Sequence, residues 1–192
     1  GLYKAALGHL PAGEVTLASA EALPADGDVI LLGSGQSNPL IGMFPDAAAP
    51  DFVPDAPGAF RIKTFPQGGR VVTVIKGHDR AGTLYGVYAY LEQLGMRFYG
   101  LGEQGLVCPA TPGPLPGQLD RSEQPSYLTR GFWAWEDRGD RTFFTWMARN
   151  RLNFWCTASQ KDLFFNKKVG MKLTIGGHVI QHECLNPQAE YP

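Results

Sequence analysis

The stretch from residue 77 to 99 constrains the fold most, because it has the pattern of a strand, a helix and a second strand. Residues 70–76 (RVVTVIK) are apolar and mostly β-branched, which favours a buried strand. Asp79 can cap the helix that follows, and Gly95 stands where a left-handed residue ends a helix. Apolar residues between them have helical spacing and predict one apolar helix face: Leu84, Val87, Tyr88, Leu91 and Leu94. A second strand is predicted at 96–99.

Two glycines in this helix, Gly82 and Gly86, lie four residues apart and flank Tyr85. Each costs an exposed helix about 1 kcal/mol relative to alanine. Their spacing lets a sheet or a second helix approach the backbone closely.

The first hundred residues contain further strand signals. Additional strands are predicted at 14–18, 28–33 and 60–65. A Gln-Gly-Gly turn at 67–69 predicts a hairpin, and the Pro- and Asp-rich stretch 44–58 predicts a mobile surface loop. Because a hairpin is antiparallel and a helical crossover is parallel, we expect an α/β (α+β) domain with a mixed sheet and helical cover.

A proline-rich stretch divides the chain. Its prolines come almost in succession, with glycines between them: Pro109, Pro112, Pro114 and Pro116. We therefore predict an accessory α/β domain over 1–108, a Pro/Gly-rich linker over 109–124, and a second domain over 125–192.

The second domain alternates strand and helix signals. Strands are predicted at 126–135, 153–158 and 171–175, and helices at 141–151 and 161–169. This order predicts the first βα units of a (β/α)8 TIM barrel, which needs about 250 residues in all. The chain is therefore predicted to be a fragment of a longer protein.

Composition argues against several classes of function. The 17 basic and 18 acidic residues give a net charge of −1, without a basic patch for nucleic acid or a basic helix for a membrane surface. No apolar run approaches the ~20 residues of a membrane span. Cys108, Cys156 and Cys184 lack metal-ligand spacing, and the glycine-rich turn after residue 33 lacks a phosphate-binding fingerprint. We therefore expect no metal and no cofactor.

The pattern G-x-D-x-x-G-x-x-Y-G-x-x-x-x-L-x-x-L-G-x-R-F-Y, from Gly77 to Tyr99, resembles the accessory α/β domain of several glycoside hydrolases. They include the β-N-acetylhexosaminidases of family 20 and the α-glucuronidases of family 67. The segment 125–153, with its R-G pair and its W-M-A-R-N-R-L-N end, resembles the start of their catalytic barrel. The tail from 176 resembles a barrel loop of the α-glucuronidase-like group.

The resemblance implies an enzyme that cleaves O-glycosidic bonds in a polysaccharide or glycan by acid/base hydrolysis. It implies a carbohydrate substrate and a secreted, periplasmic or cell-surface bacterial protein, although the chain carries no signal peptide. The catalytic carboxyl groups of those families come from middle barrel strands, so we expect them outside this chain. The rest of the same polypeptide is then the expected partner.

Four residues near the first barrel strand are site candidates. The resemblance to the hexosaminidases implies that Arg130 reaches a pair of sugar hydroxyls; a structural Arg paired with a carboxylate is the alternative. Trp135, at the carboxyl end of that strand, is a candidate stacking platform. Glu136 and Asp137 are candidates for a general acid, or else a solvated loop paired with arginines. Glu136 replaces the Asp of the α-glucuronidase Trp-Asp pair.

His178 is the remaining substrate-binding candidate, because it follows the third predicted strand. His178 and His182 are four apart, but the glycines before them favour a loop, and the order H-x-x-x-H-E does not favour metal binding.

The alternative function is a non-catalytic carbohydrate-binding or interaction domain. A free-standing module would have no use for three open βα units, which argues against it. A doubly wound small-molecule enzyme is a further alternative, against which the missing phosphate fingerprint argues. With barrel strands uncovered, the isolated chain is expected to aggregate.

Overall fold

The computed structural model describes residues 22–110, 115–132, 140–156 and 163–174. The chain forms two compact units, and the boundary between them falls between Leu128 and Thr129. The strand predicted at 14–18 lies outside the described residues. Within the described ranges, no helix has the length and the apolar character to cross a membrane.

The described strands and helices follow one another in the order that the sequence predicts, with some additions. The strands are β1 (Val29–Leu32), β2 (Phe60–Gln67), β3 (Arg70–Gly77), β4 (Arg97–Phe98), β5 (Leu106–Val107), β6 (Asp120–Glu123), β7 (Gly131–Phe132), β8 (Phe154–Cys156) and β9 (Lys172–Thr174). The α-helices are α1 (Pro45–Ala48), α2 (Arg80–Gln93), α3 (Arg141–Arg149) and α4 (Leu163–Lys168), and the 3-10 helices are Pro39–Met43 and Pro50–Phe52.

The first unit contains a four-stranded sheet in the order β1-β3-β2-β6. Strand β1 is parallel to β3, whereas β2 is antiparallel to both β3 and β6. The hairpin between β2 and β3 turns through Gly68 and Gly69, which both have positive φ. The predicted mixed sheet is therefore confirmed.

Helix α2 covers one face of this sheet and has the predicted caps. Asp79 Oδ1 accepts a hydrogen bond from the backbone N–H of Gly82 at 2.6 Å, as expected of an N-cap. Gly95 has φ of 94°, and Met96 N–H donates to the Leu91 carbonyl at 3.0 Å, which is the Schellman arrangement.

The two glycines of α2 let the helix lie close to the sheet. A Cβ atom on Gly86 would lie 2.8 Å from Ile75 Cγ2, and one on Gly82 would collide with the Ala59 carbonyl. The predicted apolar face of α2 is only partly right, because the buried face also includes the side of the helix that carries Gly82 and Gly86. The buried residues of α2 are Gly82, Tyr85, Gly86, Val87, Ala89, Tyr90 and Leu91.

The opposite face of the sheet is covered by the segment 39–53, where the sequence predicts a mobile loop from 44 onwards. That prediction is corrected: the segment forms three short helices, each with Pro in its first turn. Their apolar side chains pack on the sheet: Leu40, Ile41, Phe44, Ala47, Phe52 and Val53 are buried. Lys76 of β3 binds the segment to the sheet, because its Nζ donates hydrogen bonds to the carbonyls of Ala47 and Ala49.

Strand β4 does not return to the sheet as the strand–helix–strand prediction implies. It pairs antiparallel with β5, in a separate two-stranded ladder. The chain turns back directly after β4, in a turn that contains Gly100, Gly102 and Gly105. The parallel neighbour of β3 is β1 instead.

Strand β6 lies within the predicted linker 109–124, so residues 120–123 are a correction to that linker. They pair with β2 from Lys63–Asp120 to Phe60–Glu123. The pairing is held by Arg61, whose Nε and Nη2 donate to the two carboxylate oxygens of Asp120 at 2.7 and 2.8 Å.

The second unit contains a parallel sheet in the order β7-β8-β9, with α3 and α4 in the two connections. The predicted βαβαβ order is therefore present in the described residues, whereas the barrel itself stays a prediction. Helix α3 is capped by Asp140 and buries Phe144, Met147 and Ala148, as its apolar face predicts.

Helix α3 ends two residues earlier than its predicted bound. Its C-terminus has the Schellman arrangement, with Leu152 N–H donating to the Met147 carbonyl at 2.8 Å. The left-handed position is occupied by Arg151, with φ of 59°. Because glycine is the usual residue at that position, the sequence carries no signal for this ending.

Candidate functional site

The carboxyl edge of the sheet β7-β8-β9 is the candidate functional site. Phe132, Trp155 and Leu173 occupy equivalent positions in the ladder, so the three strands end nearly level. All three are parallel, and ligands of parallel sheets bind beyond the carboxyl ends of the strands. The segments that leave this edge are therefore where substrate contacts are expected.

Four of the predicted site residues are in those segments of the sequence. Trp135, Glu136 and Asp137 follow β7, and His178 follows β9. All four lie outside the described residues, so their proposed roles stay predictions.

An aromatic cluster joins helix α3 to the strands β7 and β8 next to this edge of the sheet. Phe132, the last residue of β7, stacks on Trp146 of α3 with 6.1 Å between ring centroids. Phe143 meets Trp155 of β8 edge-to-face at 4.9 Å, and Trp155 is only 2% exposed. Such pairs add to the burial of area, and here they fix α3 against β7 and β8.

Arg130 lies at the opposite, amino end of β7. Its Nε donates to the Arg151 carbonyl at 2.9 Å. Its backbone N–H donates to Asn153 Oδ1 at 2.8 Å, and its carbonyl accepts from Asn153 N–H at 2.7 Å. These contacts join the start of β7 to the start of β8, and they give Arg130 a structural task. Its predicted contact with sugar hydroxyls is not tested by them.

Asn153 is a buried polar residue of this unit that the sequence analysis does not single out. It is 8% exposed, and its carbonyl also accepts from Lys172 N–H at 2.7 Å, at the start of β9. The side chain, the N–H and the carbonyl of this one residue thus connect all three strands. The only sequence signal is its position as the first residue of a predicted, otherwise mostly apolar strand.

Several charged side chains in the described part of the first unit form ion pairs. The hydrogen bonds that Arg61 donates to Asp120 are the main cause that lowers the pKa of Asp120, and the same bonds raise the pKa of Arg61. Lys63 forms ion pairs with Asp46 and Asp120. Burial lowers the pKa of Lys76, which lies over the Phe52 ring. These charges hold β6 and the segment 39–53 on the sheet.

Metal-binding geometry is not found in the part of the chain that the structure describes. There, no group of three or more His, Cys, Asp or Glu side chains is placed to hold a metal ion. Cys108 is a free, half-buried thiol.

Comparison with known proteins supports the fold class. No family model and no curated protein matches the sequence. Among solved structures, the fold is similar to a family GH115 4-O-methyl-α-glucuronidase with specificity for decorated arabinogalactans. The TM-score is 0.63 and the sequence identity 18%, over 90% of this chain and 26% of the length of that enzyme. The likeness supports a glycoside-hydrolase-like fold, and at this identity it shows the fold alone.

Proposed function

We propose that this chain is the N-terminal part of a glycoside hydrolase that cleaves O-glycosidic bonds in a polysaccharide or glycan. One observation carries the proposal: a mixed-sheet unit is followed by a parallel βαβαβ unit, and the whole resembles a glucuronidase over 90% of its length. The motif from Gly77 to Tyr99 points to the same class of enzyme, independently of the structure comparison.

In this proposal the first unit is the accessory domain and the second opens a (β/α)8 barrel, with β7 as its first strand. The similar enzyme is much longer than this chain, which spans 26% of it. The remaining barrel strands, and the catalytic carboxyl groups, would then belong to another part of the same polypeptide.

The reaction would be acid/base hydrolysis. One carboxyl group protonates the leaving oxygen, and a second acts as a nucleophile or activates water, at separations of about 5–5.5 Å or about 6.5–9.5 Å respectively. This chain would supply the substrate contacts of the first strands. Trp135 would stack on a sugar ring, His178 would bind hydroxyl groups, and Glu136 or Asp137 would be the local candidates for a general acid. Arg130, at the amino end of β7, would join β7 to β8.

The substrate class follows from the likeness to a glucuronidase and from the hexosaminidase-like motif. We propose either an α-linked glucuronic acid cap or a terminal N-acetylglucosamine. A polysaccharide cannot enter a bacterial cell intact, so we also propose a secreted, periplasmic or cell-surface enzyme.

The test is an assay of the complete gene product. We expect it to be longer than 192 residues, and to hydrolyse either glucuronic-acid-capped xylo-oligosaccharides and decorated arabinogalactan, or aryl N-acetylglucosaminides. A gene product that ends at residue 192 would contradict the proposal. A longer protein that binds glycans but hydrolyses none of these substrates would favour the carbohydrate-binding alternative.

Two variants test the site. We expect Trp135→Ala and His178→Ala to lower kcat/KM by about tenfold or more, which corresponds to about 1.4 kcal/mol of lost transition-state binding. His78→Ala is the matched control, because His78 lies in the first unit, 3.5 Å from Asp55. Loss of activity in the control, or full activity in both site variants, would contradict the assignment.

A further inference from the structure

Strand β2 carries two cations on the face of the sheet that the segment 39–53 covers. Arg61 and Lys63 are two residues apart on β2, so both side chains point to the same face. Strand β6 pairs with the edge of β2 at these same positions, from Lys63–Asp120 to Phe60–Glu123. Side chains from three elements that are far apart in the sequence therefore meet at this place.

Arg61 contacts both β6 and the segment 39–53. Its Nε and Nη2 donate to the two carboxylate oxygens of Asp120, at 2.7 and 2.8 Å. Its Nη1 is not used by this bidentate pair, and it donates to the Phe52 carbonyl at 3.4 Å. The guanidinium carbon also lies 4.9 Å from the centre of the Phe52 ring. Because a bidentate pair fixes the plane of a guanidinium group, Asp120 holds Arg61 in the orientation that contacts Phe52.

Phe52 is a buried anchor of the segment 39–53. It is 2% exposed and belongs to the apolar cluster between the segment and the sheet. A second connection runs through Lys63, which forms ion pairs with Asp120 at 3.6 Å and with Asp46 of α1. Asp120 therefore reaches the segment through two cations of β2.

We propose that the pair of Arg61 and Asp120 couples β6 to the segment 39–53, so that release of β6 from β2 loosens the segment. Strand β6 ends at Glu123, and the first unit ends at Leu128. The strand nearest the boundary between the units is thus linked to the cover of the sheet. Such a coupling is reciprocal, so loosening of the segment also weakens the pairing of β6. The inference does not depend on the proposed function.

The coupling differs from the strength of the ion pair itself. The side chains of Arg61 and Asp120 are 27% and 44% exposed, and ion pairs as exposed as this one stabilise a protein little. Coupling arises because one arginine side chain, once ordered by Asp120, makes its contacts with Phe52 without a further loss of conformational entropy. The expected effect is therefore local opening of the segment rather than global unfolding.

Hydrogen exchange in the dilute 192-residue chain tests the coupling. The reporters are the N–H groups of Ala48 and Phe52, which donate to the carbonyls of Phe44 and Ala49 within the segment. We expect Asp120→Ala to speed exchange at both reporters by about threefold and to leave the amides of α2 unchanged. Unchanged reporters, or an equal increase throughout α2, would overturn the inference.

Glu123→Ala is the matched control, because it removes a carboxylate from the same strand. Glu123 forms an ion pair with Arg121, which lies on β6 as well and donates to the Ala89 carbonyl of α2 at 3.4 Å. We expect this variant to leave the exchange rates of Ala48 and Phe52 unchanged. An increase as large as that of Asp120→Ala would mean that any loss of charge from β6 loosens the segment, and the inference would fail.

Arg61→Lys tests whether the connection runs through the guanidinium group. Lysine keeps the positive charge but cannot form the bidentate pair and the contacts with Phe52 together. We expect Arg61→Lys to speed exchange at Phe52 by itself, and Asp120→Ala to add no further increase in that background. A further threefold increase in the double variant would contradict a coupling through Arg61.

Discussion

At the scale of single residues, Asp79 joins two parts of the first unit. Its Oδ1 caps α2 through Gly82 N–H, and its Oδ2 accepts from Gly58 N–H at 3.0 Å, in the turn before β2. We predict that Asp79→Ala lowers the free energy of unfolding by about 1–3 kcal/mol, since a cap is lost and a second donor loses its acceptor. Urea unfolding of the 192-residue chain measures this.

Asp79→Asn separates the two contacts. The amide keeps one oxygen that can cap α2, but its NH₂ group cannot accept from Gly58. We expect a loss intermediate between wild type and Asp79→Ala. A loss as large as that of alanine would mean that the charge of Asp79, rather than its two acceptors, is what stabilises the turn.

The ion pair of Asp120 predicts a pH dependence. The pKa of Asp120 is lowered below its ordinary value, first by the hydrogen bond from Arg61. A carboxylate with a lowered pKa in the folded state stabilises the protein above the pKa of the unfolded state, and this contribution is lost as pH falls through the folded value. The Asp120 side chain is 44% exposed, so we discount the effect to about 1 kcal/mol or less.

The measurement compares Asp120→Asn with wild type at pH 7 and at pH 2. We expect the variant to be less stable at pH 7, and its deficit to shrink as the pH falls through the folded-state pKa of Asp120, because the wild-type carboxylate is then protonated. Asp26→Asn, at an exposed position, controls for a general effect of charge. A deficit of Asp120→Asn that is as large at pH 2 as at pH 7 would show that the loss is steric rather than electrostatic.

At the scale of elements, the sequence predicts the features that depend on residues close together along the chain, such as the ends of a helix. Helix α2 begins and ends where Asp79 and Gly95 predict, because capping depends on neighbours along the chain. Strand β6 (DRSE) has no apolar alternation, and it is a strand because β2 offers it a partner and Arg61 pairs with Asp120. Such long-range pairing leaves no periodic signal in the sequence.

The close packing of α2 on the sheet predicts the effect of one methyl group. Gly86→Ala should raise helix propensity by about 1 kcal/mol, but its Cβ would lie 2.8 Å from Ile75 Cγ2 and 3.3 Å from Phe60 Cβ. Overpacking of this kind costs about 1–3 kcal/mol. We therefore expect net destabilisation in urea unfolding.

Gly42→Ala is the matched control, since nothing lies within 4 Å of a Cβ atom at that position. It should leave the stability nearly unchanged or raise it. If Gly86→Ala stabilises the chain as well, the helix does not lie as close to the sheet as the structure has it.

At the scale of the whole molecule, the candidate site is only partly predictable from the sequence. The parallel order β7-β8-β9 follows from alternating strand and helix signals, so the edge at which ligands are expected can be derived. The contact between Arg130 and the Arg151 carbonyl cannot be derived from the sequence, because a contact with a backbone atom depends on how α3 ends. The residue after the end of α3 is Arg151, whose backbone is left-handed, and no glycine marks this position in the sequence.

The boundary between the units yields the last prediction. A chain that ends at residue 128 keeps β6 and its pairing with β2, whereas one that ends at 108, the predicted domain boundary, loses both. We expect the longer fragment to unfold cooperatively in urea. The shorter one should be less stable, because Arg61 and Lys63 lose Asp120 and the edge of β2 is uncovered.

The 128-residue chain also lacks the sheet β7-β8-β9, whose outer edges have no neighbour among the described residues. It should therefore remain monomeric at concentrations at which the 192-residue chain aggregates. Light scattering compares the two, and a monomeric 192-residue chain would count against an open barrel sheet.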